Sequence, residues 1–594
     1  MGNMKQNPQI RKNIKEFVII VASYIIFSNY IYIKAGLSWT NTLIGWDSTR
    51  YIGLAKLILQ DSTFLRLYAP FLFPSLLALG IYINSTEYFW AVIWYRVIET
   101  LAISSIIYIT ANDIGKPSRY RLLNYVYILL QIISFKNFIL SMYMPFTLAL
   151  LFSIFMVIIG KKIMLENNTN IKSYLFIGFI TLMIIVSNNI YHVLLALLGL
   201  VIYFINNRKI VSKINFFKMF LTVVFTSVFS YLILSRVSIA YAVALAQIME
   251  PVRHYLPESL QALLYYEPFE RYDPLFKNII DNFAKASHLI VLNRPASLSS
   301  AISFYYFNDI EFFLLLFFNI LLYVYLIIFR REVRGNIILN YYFGILMLLT
   351  LSTFLLISTK SNYFVTYLFR FNGIYDLRVF FFVLLLLWME KYEFNFFKFR
   401  GLQEKLKRYK RSIIVLLAIV SLVSSLTIAY LMAPRLSVYA FVTDSDISFI
   451  KQLVTHLAVN KNTILITNIA RYSYPGILNQ LEGLVWFYGG SNYVIFPLLE
   501  LKDICMVNQT FKNIAYNFTF DHPLLNLLQY YYGYAYFEKL MNLSNTSTTI
   551  IISEIAYKAK YERIFEKCNE LIYNSCYGKY CAFILNTLNV CKRC

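Results

Sequence analysis

Repeated apolar runs of about the length of a membrane span constrain this chain more than any other feature. They fall at 17–33, 88–109, 122–134, 138–159, 173–186, 191–205, 216–234, 310–329, 338–357, 374–389 and 413–432. A helix needs roughly 20 apolar residues to cross a ~30 Å hydrocarbon core. Only 14% of the 594 residues are charged and 59% are hydrophobic, too few charges to clothe soluble domains of that total length. The pattern predicts an α-helical polytopic membrane protein with about eleven transmembrane helices. Residues 17–33 follow Lys5, Arg11, Lys12 and Lys15. The run is longer than the core of a cleaved signal, so it is read as a retained helix.

The formal net charge is +23, but its distribution excludes a nucleic-acid binder. Beyond Pro434 there are 14 basic and 11 acidic residues, so almost all of the excess lies in the membrane half. There 25 basic residues fall in the short segments 1–16, 112–121, 160–172, 206–218, 330–336 and 390–411. These alternate with segments of low net charge, the positive-inside pattern. The alternation predicts a cytoplasmic N-terminus and an external C-terminus. It also gives two domains: 1–433 in the membrane, with external loops at 34–87 and 235–309, and 434–594 outside the cell.

All six cysteines (Cys505, Cys568, Cys576, Cys581, Cys591, Cys594) lie in the second domain. An even cluster confined to one external region predicts disulfides. Sequons at Asn508, Asn517, Asn542, Asn545 and Asn84 agree with that side, although Asn167 carries one in a predicted cytoplasmic loop. From Thr443 the pattern becomes that of a small Rossmann-like extracytoplasmic α/β domain. A helix is expected after a cap signal at Thr443-Asp444-Ser445-Asp446, with Ile447, Phe449, Ile450, Leu453 and Leu457 at helical spacing; further helices are expected over 524–540 and 558–572, and strands over 463–469, 549–555 and 580–585. No G-x-G-x-x-G is present, so nothing indicates a nucleotide.

The chemistry concentrates in the first external loop, in Gly45-Trp46-Asp47-Ser48-Thr49-Arg50-Tyr51. Over 52–60, Arg50, Gly53, Lys56 and Gln60 form one helical stripe and Ile52, Leu54, Ala55, Leu57, Ile58 and Leu59 the rest. That is a helix suited to lie in the membrane interface. Tyr68-Ala69-Pro70-Phe71-Leu72-Phe73-Pro74 follows as a turn into another apolar segment. Taken alone, Asp47 reads equally well as a cap for the helix that follows or as a general base. Arg96 and Glu99, at i and i+3 inside the second run, predict a structural ion pair in the bundle.

An acidic residue, an aromatic, a short interfacial helix and a Tyr/Pro-rich turn, in that order, resemble the first loop of the GT-C superfamily of polytopic membrane glycosyltransferases. The likeness is to the protein mannosyltransferase and aminoarabinose transferase kind. The resemblance covers the whole plan of the chain, but its motif is specific at superfamily level only. It implies a polyprenyl-phosphate-linked sugar donor in the membrane lipid and a protein or glycan acceptor. It implies Asp47 as catalytic base, with Arg50, Tyr51, His254, Arg370 and Arg378 as substrate-binding residues. Many members carry a second carboxylate where this chain has Ser48. No cofactor is therefore called for, and a divalent metal stays open. Two alternatives stand beside this reading. One is an oligosaccharyltransferase-like enzyme, against which Val485-Trp486-Phe487-Tyr488-Gly489 has Phe487 where an aspartate belongs. The other is a transporter or flippase, for which Asn188, Asn189 and His192 are the one polar cluster.

Overall fold

The computed structural model describes residues 8–34, 38–43, 48–60, 72–84, 87–114, 144–166, 170–187, 190–237, 241, 335–345, 347, 444–457, 463–467, 483–489, 493–497, 548–554, 571–577 and 580–586. Contacts divide the chain into two compact units. The first comprises Met1–Gly36, Val97–Ser230 and Arg294–Pro434, and the second Leu37–Arg96, Tyr231–Asn293 and Arg435–Cys594.

In the first unit α1 spans Pro8–Lys34. It begins well before the apolar run, with proline in the first helical position, where the lost N–H has no partner to forfeit. The basic flank at Arg11, Lys12 and Lys15 is therefore helical. The first unit also holds the C-terminal part of α4 (Tyr88–Ile114), α5 (Met144–Leu165), α6 (Ile171–Ser187), α7 (Tyr191–Asn206), and α8 (Lys213–Val237) as far as Ser230. Within α4–α8, Tyr88–Thr110, Met144–Leu165 and Lys213–Ser235 are long and apolar enough to cross a membrane. Their outward faces carry Phe225 and Phe229, 68% and 66% exposed. Such an apolar surface suits lipid and not water.

Hydrocarbon offers no hydrophobic drive between helices, so close packing and buried polar contacts must hold them. Gly199 supplies the first: a Cβ there would lie 2.7 Å from Cα of Tyr341. Tyr341 in turn shares a 2.6 Å hydrogen bond with Ser153 of α5, and Asn206 donates to Asn340 at 2.7 Å. Tyr24 of α1 donates to the fully buried Glu99 of α4 at 2.7 Å. His192 is fully buried, its ring edge-on to Phe146 at 4.6 Å. That is a packed histidine at the start of α7, and Asn188 and Asn189 lie outside the described residues.

In the second unit α2 (Ser48–Gln60) packs against α3 (Leu72–Asn84), and α9 (Asp444–Leu457) packs against two strands of a mixed sheet. Asp444 and Asp446 stand in the first turn of α9, where the helix dipole favours negative charge. Phe449, Ile450, Leu453 and Val454 form its buried face.

The sheet has the order β2-β1-β3-β5-β4. Its strands are β1 (Thr463–Thr467), β2 (Tyr493–Pro497), β3 (Thr548–Glu554), β4 (Leu571–Tyr577) and β5 (Tyr580–Asn586). The first three run parallel. The β4–β5 hairpin adds antiparallel strands, a departure from a purely Rossmann-like layer. Of the helix expected over 558–572, residues 558–570 lie outside the described residues and Leu571 already belongs to β4; the helix expected over 524–540 lies outside them as well.

Among the described residues no disulfide is formed, so the bridging expected of the cysteines is not found there. Cys576 and Cys581 stand opposite each other across β4 and β5, and register alone does not supply the side-chain geometry a bond requires. Cys505, Cys568, Cys591 and Cys594 lie outside the described residues.

Candidate functional site

The second unit gathers the residues of the first loop around α2. Asp47 lies outside the described residues, and α2 begins at the next residue, Ser48. From Ser48 to Ala55 every residue of α2 is buried. This corrects the picture of a helix with its polar stripe turned to the interface. Only Leu59 and Gln60 at the far end are exposed.

The stripe is covered by a short helical segment, residues 483–489. Gly53, at the centre of the stripe, meets Gly483 backbone to backbone: a Cβ on Gly53 would stand 2.8 Å from Cα of Gly483. A Cβ on Gly483 would meet the carbonyl of Thr49 and the amide nitrogen of Arg50. Any side chain at either glycine would hold the two segments apart.

The cations flanking Gly53 then lie along the aromatic side chains of the covering segment. Arg50, 7% exposed, has Cζ 6.0 Å from the Trp486 ring centroid. Lys56 has Nζ 5.7 Å from that of Phe487. Both are within the range of cation–π attraction. Burial holds the Lys56 ammonium below its ordinary pKa, because desolvation disfavours the charged form. It pushes the Tyr488 hydroxyl up to about 12. Phe487 packs edge-on to Tyr88 at 5.4 Å.

On its other side α2 is held by an edge-to-face aromatic chain, the favoured geometry for such rings. Tyr51 meets Phe73 of α3 at 5.4 Å, and Phe73 meets Tyr95 of α4 at 5.1 Å. All three are nearly or fully buried, which places Tyr51 within the core of this unit. The Tyr95 hydroxyl donates to Ser48 Oγ at 3.3 Å.

Arg96, 2% exposed, grips the turn at 38–43. Its Nε donates to the carbonyl of Trp39 at 3.1 Å and its Nη2 to that of Thr42 at 2.8 Å. Its Cζ lies 5.4 Å from the Trp39 ring centroid. The turn closes on itself through Thr42 N to Ser38 O at 3.0 Å.

Of the residues expected at the site, the structure therefore brings Arg50 and Tyr51 together on α2. His254, Arg370 and Arg378 lie outside the described residues. The sequence did not point to Trp39, Thr42, Tyr95 or the covering role of Trp486 and Phe487. The glycine in the α2 stripe and the arginine inside an apolar run were the traces of those contacts.

No family model matches this sequence, and no curated protein does. Among solved structures the chain is similar to ArnT from Cupriavidus metallidurans in the apo state, at 11% identity over 97% of this chain and 98% of that one, with a TM-score of 0.43. It is similar to the same protein bound to undecaprenyl phosphate, at 10% identity over 96% and 97%, with a TM-score of 0.44. The apo oligosaccharyltransferase of Archaeoglobus fulgidus gives 12% identity over 96% of this chain and 74% of that one, with a TM-score of 0.44. Scores of this size carry no correspondence of residues and no chemistry.

Proposed function

We propose that this protein is a multi-pass glycosyltransferase of the cell membrane that moves a sugar from a polyprenyl-phosphate carrier to a protein, lipid or glycan acceptor. The reaction is placed at the external face, with the N-terminus cytoplasmic and residues 434–594 outside, as the distribution of basic residues argues. Asp47 is the general base. It takes the proton of the acceptor hydroxyl as that oxygen attacks the anomeric carbon. The bond from that carbon to the phosphate oxygen breaks, and the lipid phosphate leaves with the electron pair.

Arg50, Arg370 and Arg378 are proposed to offset the negative charge of that leaving group, with His254 and Tyr51 completing the substrate-binding residues. The steps do not pass through a metal, and a divalent cation on the donor phosphates is compatible with them. The observation that carries the proposal is the burial of Arg50 in the first turn of α2, next to Ser48 and beside Trp486. An arginine is costly to bury, and at the start of this helix it puts permanent positive charge within a few residues of Asp47.

The test is direct. Purified protein in lipid nanodiscs is given labelled polyprenyl-phosphate sugars with candidate acceptors, and both loss of donor and appearance of labelled product are followed. The proposal expects at least one donor to be consumed with stoichiometric release of polyprenyl phosphate. Movement of intact donor between leaflets, with no cleavage of any donor, would instead support the flippase reading.

A further inference from the structure

Four helix ends meet at one end of the first unit. α5 finishes at Leu165 and α6 starts at Ile171, while α7 finishes at Asn206 and α8 starts at Lys213. The two connecting stretches are tied together. Asn215, 7% exposed, donates through Nδ2 to the carbonyls of Ile163 and Glu166 at 3.2 and 2.7 Å. Its Oδ1 accepts from the Tyr174 hydroxyl at 3.3 Å, and the amide of Ser212 donates to the carbonyl of Met164 at 3.0 Å. The turn after α7 is closed by the amides of Ile210 and Val211, which donate to the carbonyl of Asn207 at 2.9 and 3.2 Å.

Exposed cations stand on this fixed base: Lys172, Arg208, Lys209, Lys213 and Lys218. Over 160–172 and 206–218 the sequence has one acidic residue, Glu166, and its carboxylate lies 3.7 Å from Lys162. The charge of the other cations is therefore not offset within the surface. Among them stand Ile171, Ile210 and Ile214, which are 71%, 72% and 68% exposed. α5 and α8 are each long and apolar enough to cross a membrane, which puts their common end at the level of the lipid headgroups. There an isoleucine can enter the acyl boundary while a neighbouring lysine stem carries its ammonium outward. Orienting helices during insertion needs only a count of basic residues on one side. It asks for no fixed arrangement of them, and the Asn215 contacts supply one.

We propose that this surface binds an acidic phospholipid, whose headgroup meets Arg208, Lys209 and Lys213 and whose acyl chains lie against Ile210 and Ile214. Arg208 offers a planar fork to the phosphate oxygens, and the lysines act as point charges. In the orientation proposed above, the lipid belongs to the cytoplasmic leaflet. Its binding does not depend on sugar transfer.

The experiment titrates the full-length protein, in a neutral detergent, with phosphatidylglycerol or with phosphatidylcholine of the same acyl chains. Bound lipid is counted by native mass spectrometry. A basic residue near an anionic surface is worth about fivefold in affinity, so phosphatidylglycerol is expected to bind ~10²-fold more tightly than phosphatidylcholine. Arg208→Gln with Lys209→Gln should lower phosphatidylglycerol affinity about 10- to 30-fold and leave phosphatidylcholine unchanged. Lys12→Gln with Lys15→Gln removes two exposed charges from α1 and should leave both affinities nearly unchanged. Asn215→Ala keeps every charge but unties the turns, and should weaken phosphatidylglycerol binding several-fold.

Equal affinity of the natural protein for the two lipids would overturn the proposal. So would equal losses in the α7–α8 and α1 double variants, which would mean attraction by net charge alone. Displacement of phosphatidylglycerol by inorganic phosphate at constant ionic strength would show a site for a free anion and overturn the lipid. If Asn215→Ala does not fold, the double variants, which change only exposed side chains, carry the test.

Discussion

Replacing Gly53 by alanine tests the crossing of α2 and residues 483–489 on its own. In an unencumbered helix the change is favourable by about 0.8–1.0 kcal/mol, since alanine loses less backbone freedom on folding. Here the added methyl would lie 2.8 Å from Cα and 3.0 Å from C of Gly483. These are backbone atoms and cannot rotate away, so one segment must shift. Overpacking of this kind costs about 1–3 kcal/mol, which leaves Gly53→Ala destabilising by roughly 0–2 kcal/mol after the propensity gain.

Gly178→Ala in α6 is the control. There a Cβ meets Thr226 Oγ1 at 3.1 Å, a side-chain atom that can turn aside, and the expectation is neutral to mildly stabilising. Melting of the purified protein in detergent gives the rank order. Amide hydrogen exchange then locates the damage, with faster exchange expected across 48–60 and 483–489 in Gly53→Ala. Gly53→Ala as stable as the natural protein, with unchanged exchange at 483–489, would refute the close crossing.

Three further outcomes are expected. Phe73→Ala removes the fully buried ring between Tyr51 and Tyr95 and should destabilise the second unit by about 3–5 kcal/mol, read as loss of a monodisperse elution peak or a lowered melting temperature. Lys56→Met should raise the melting temperature at neutral pH. Burial holds the Lys56 pKa below its ordinary 10.5, so the unfolded chain binds that proton more tightly and folding is penalised below the shifted value. The penalty disappears as pH rises towards 10.5, and so should the difference between the two proteins. A lower melting temperature for Lys56→Met would mean that the contact with Phe487 outweighs desolvation. In a cysteine-free background on intact cells, single cysteines placed in 235–309 should react with an impermeant thiol reagent and those in 390–411 should not. The reverse pattern would invert the orientation.

The sequence revealed what depends on near neighbours and hid what depends on distant ones. Periodicity marked the α2 stripe of Arg50, Gly53 and Lys56, but a polar stripe looks the same whether it meets water, headgroups or another segment. Its partner lies more than 400 residues further along the chain. Arg96 and Glu99 matched a helical ion-pair spacing, whereas the contacts seen at Arg96 include backbone carbonyls at 39 and 42, which no residue pattern encodes.

In the sheet, the β-branched runs of β1 and β3 were legible as strands. Tyr493–Pro497 ends in proline, which argues against a strand within a sheet. In Leu571–Tyr577, Asn574 and Ser575 break the apolar alternation that marks a strand.

The central claim turns on Asp47. Asn and Asp cap helices about equally well, so Asp47→Asn preserves any role at the start of α2 while removing the proton acceptor. The decisive measurement is the single-turnover rate of sugar transfer by folded Asp47→Asn protein saturated with donor. A general base contributes about 10²- to 10⁴-fold, and a fall of that size with unchanged melting is the expected result. A folded Asp47→Asn protein that transfers sugar at the natural rate would contradict the account.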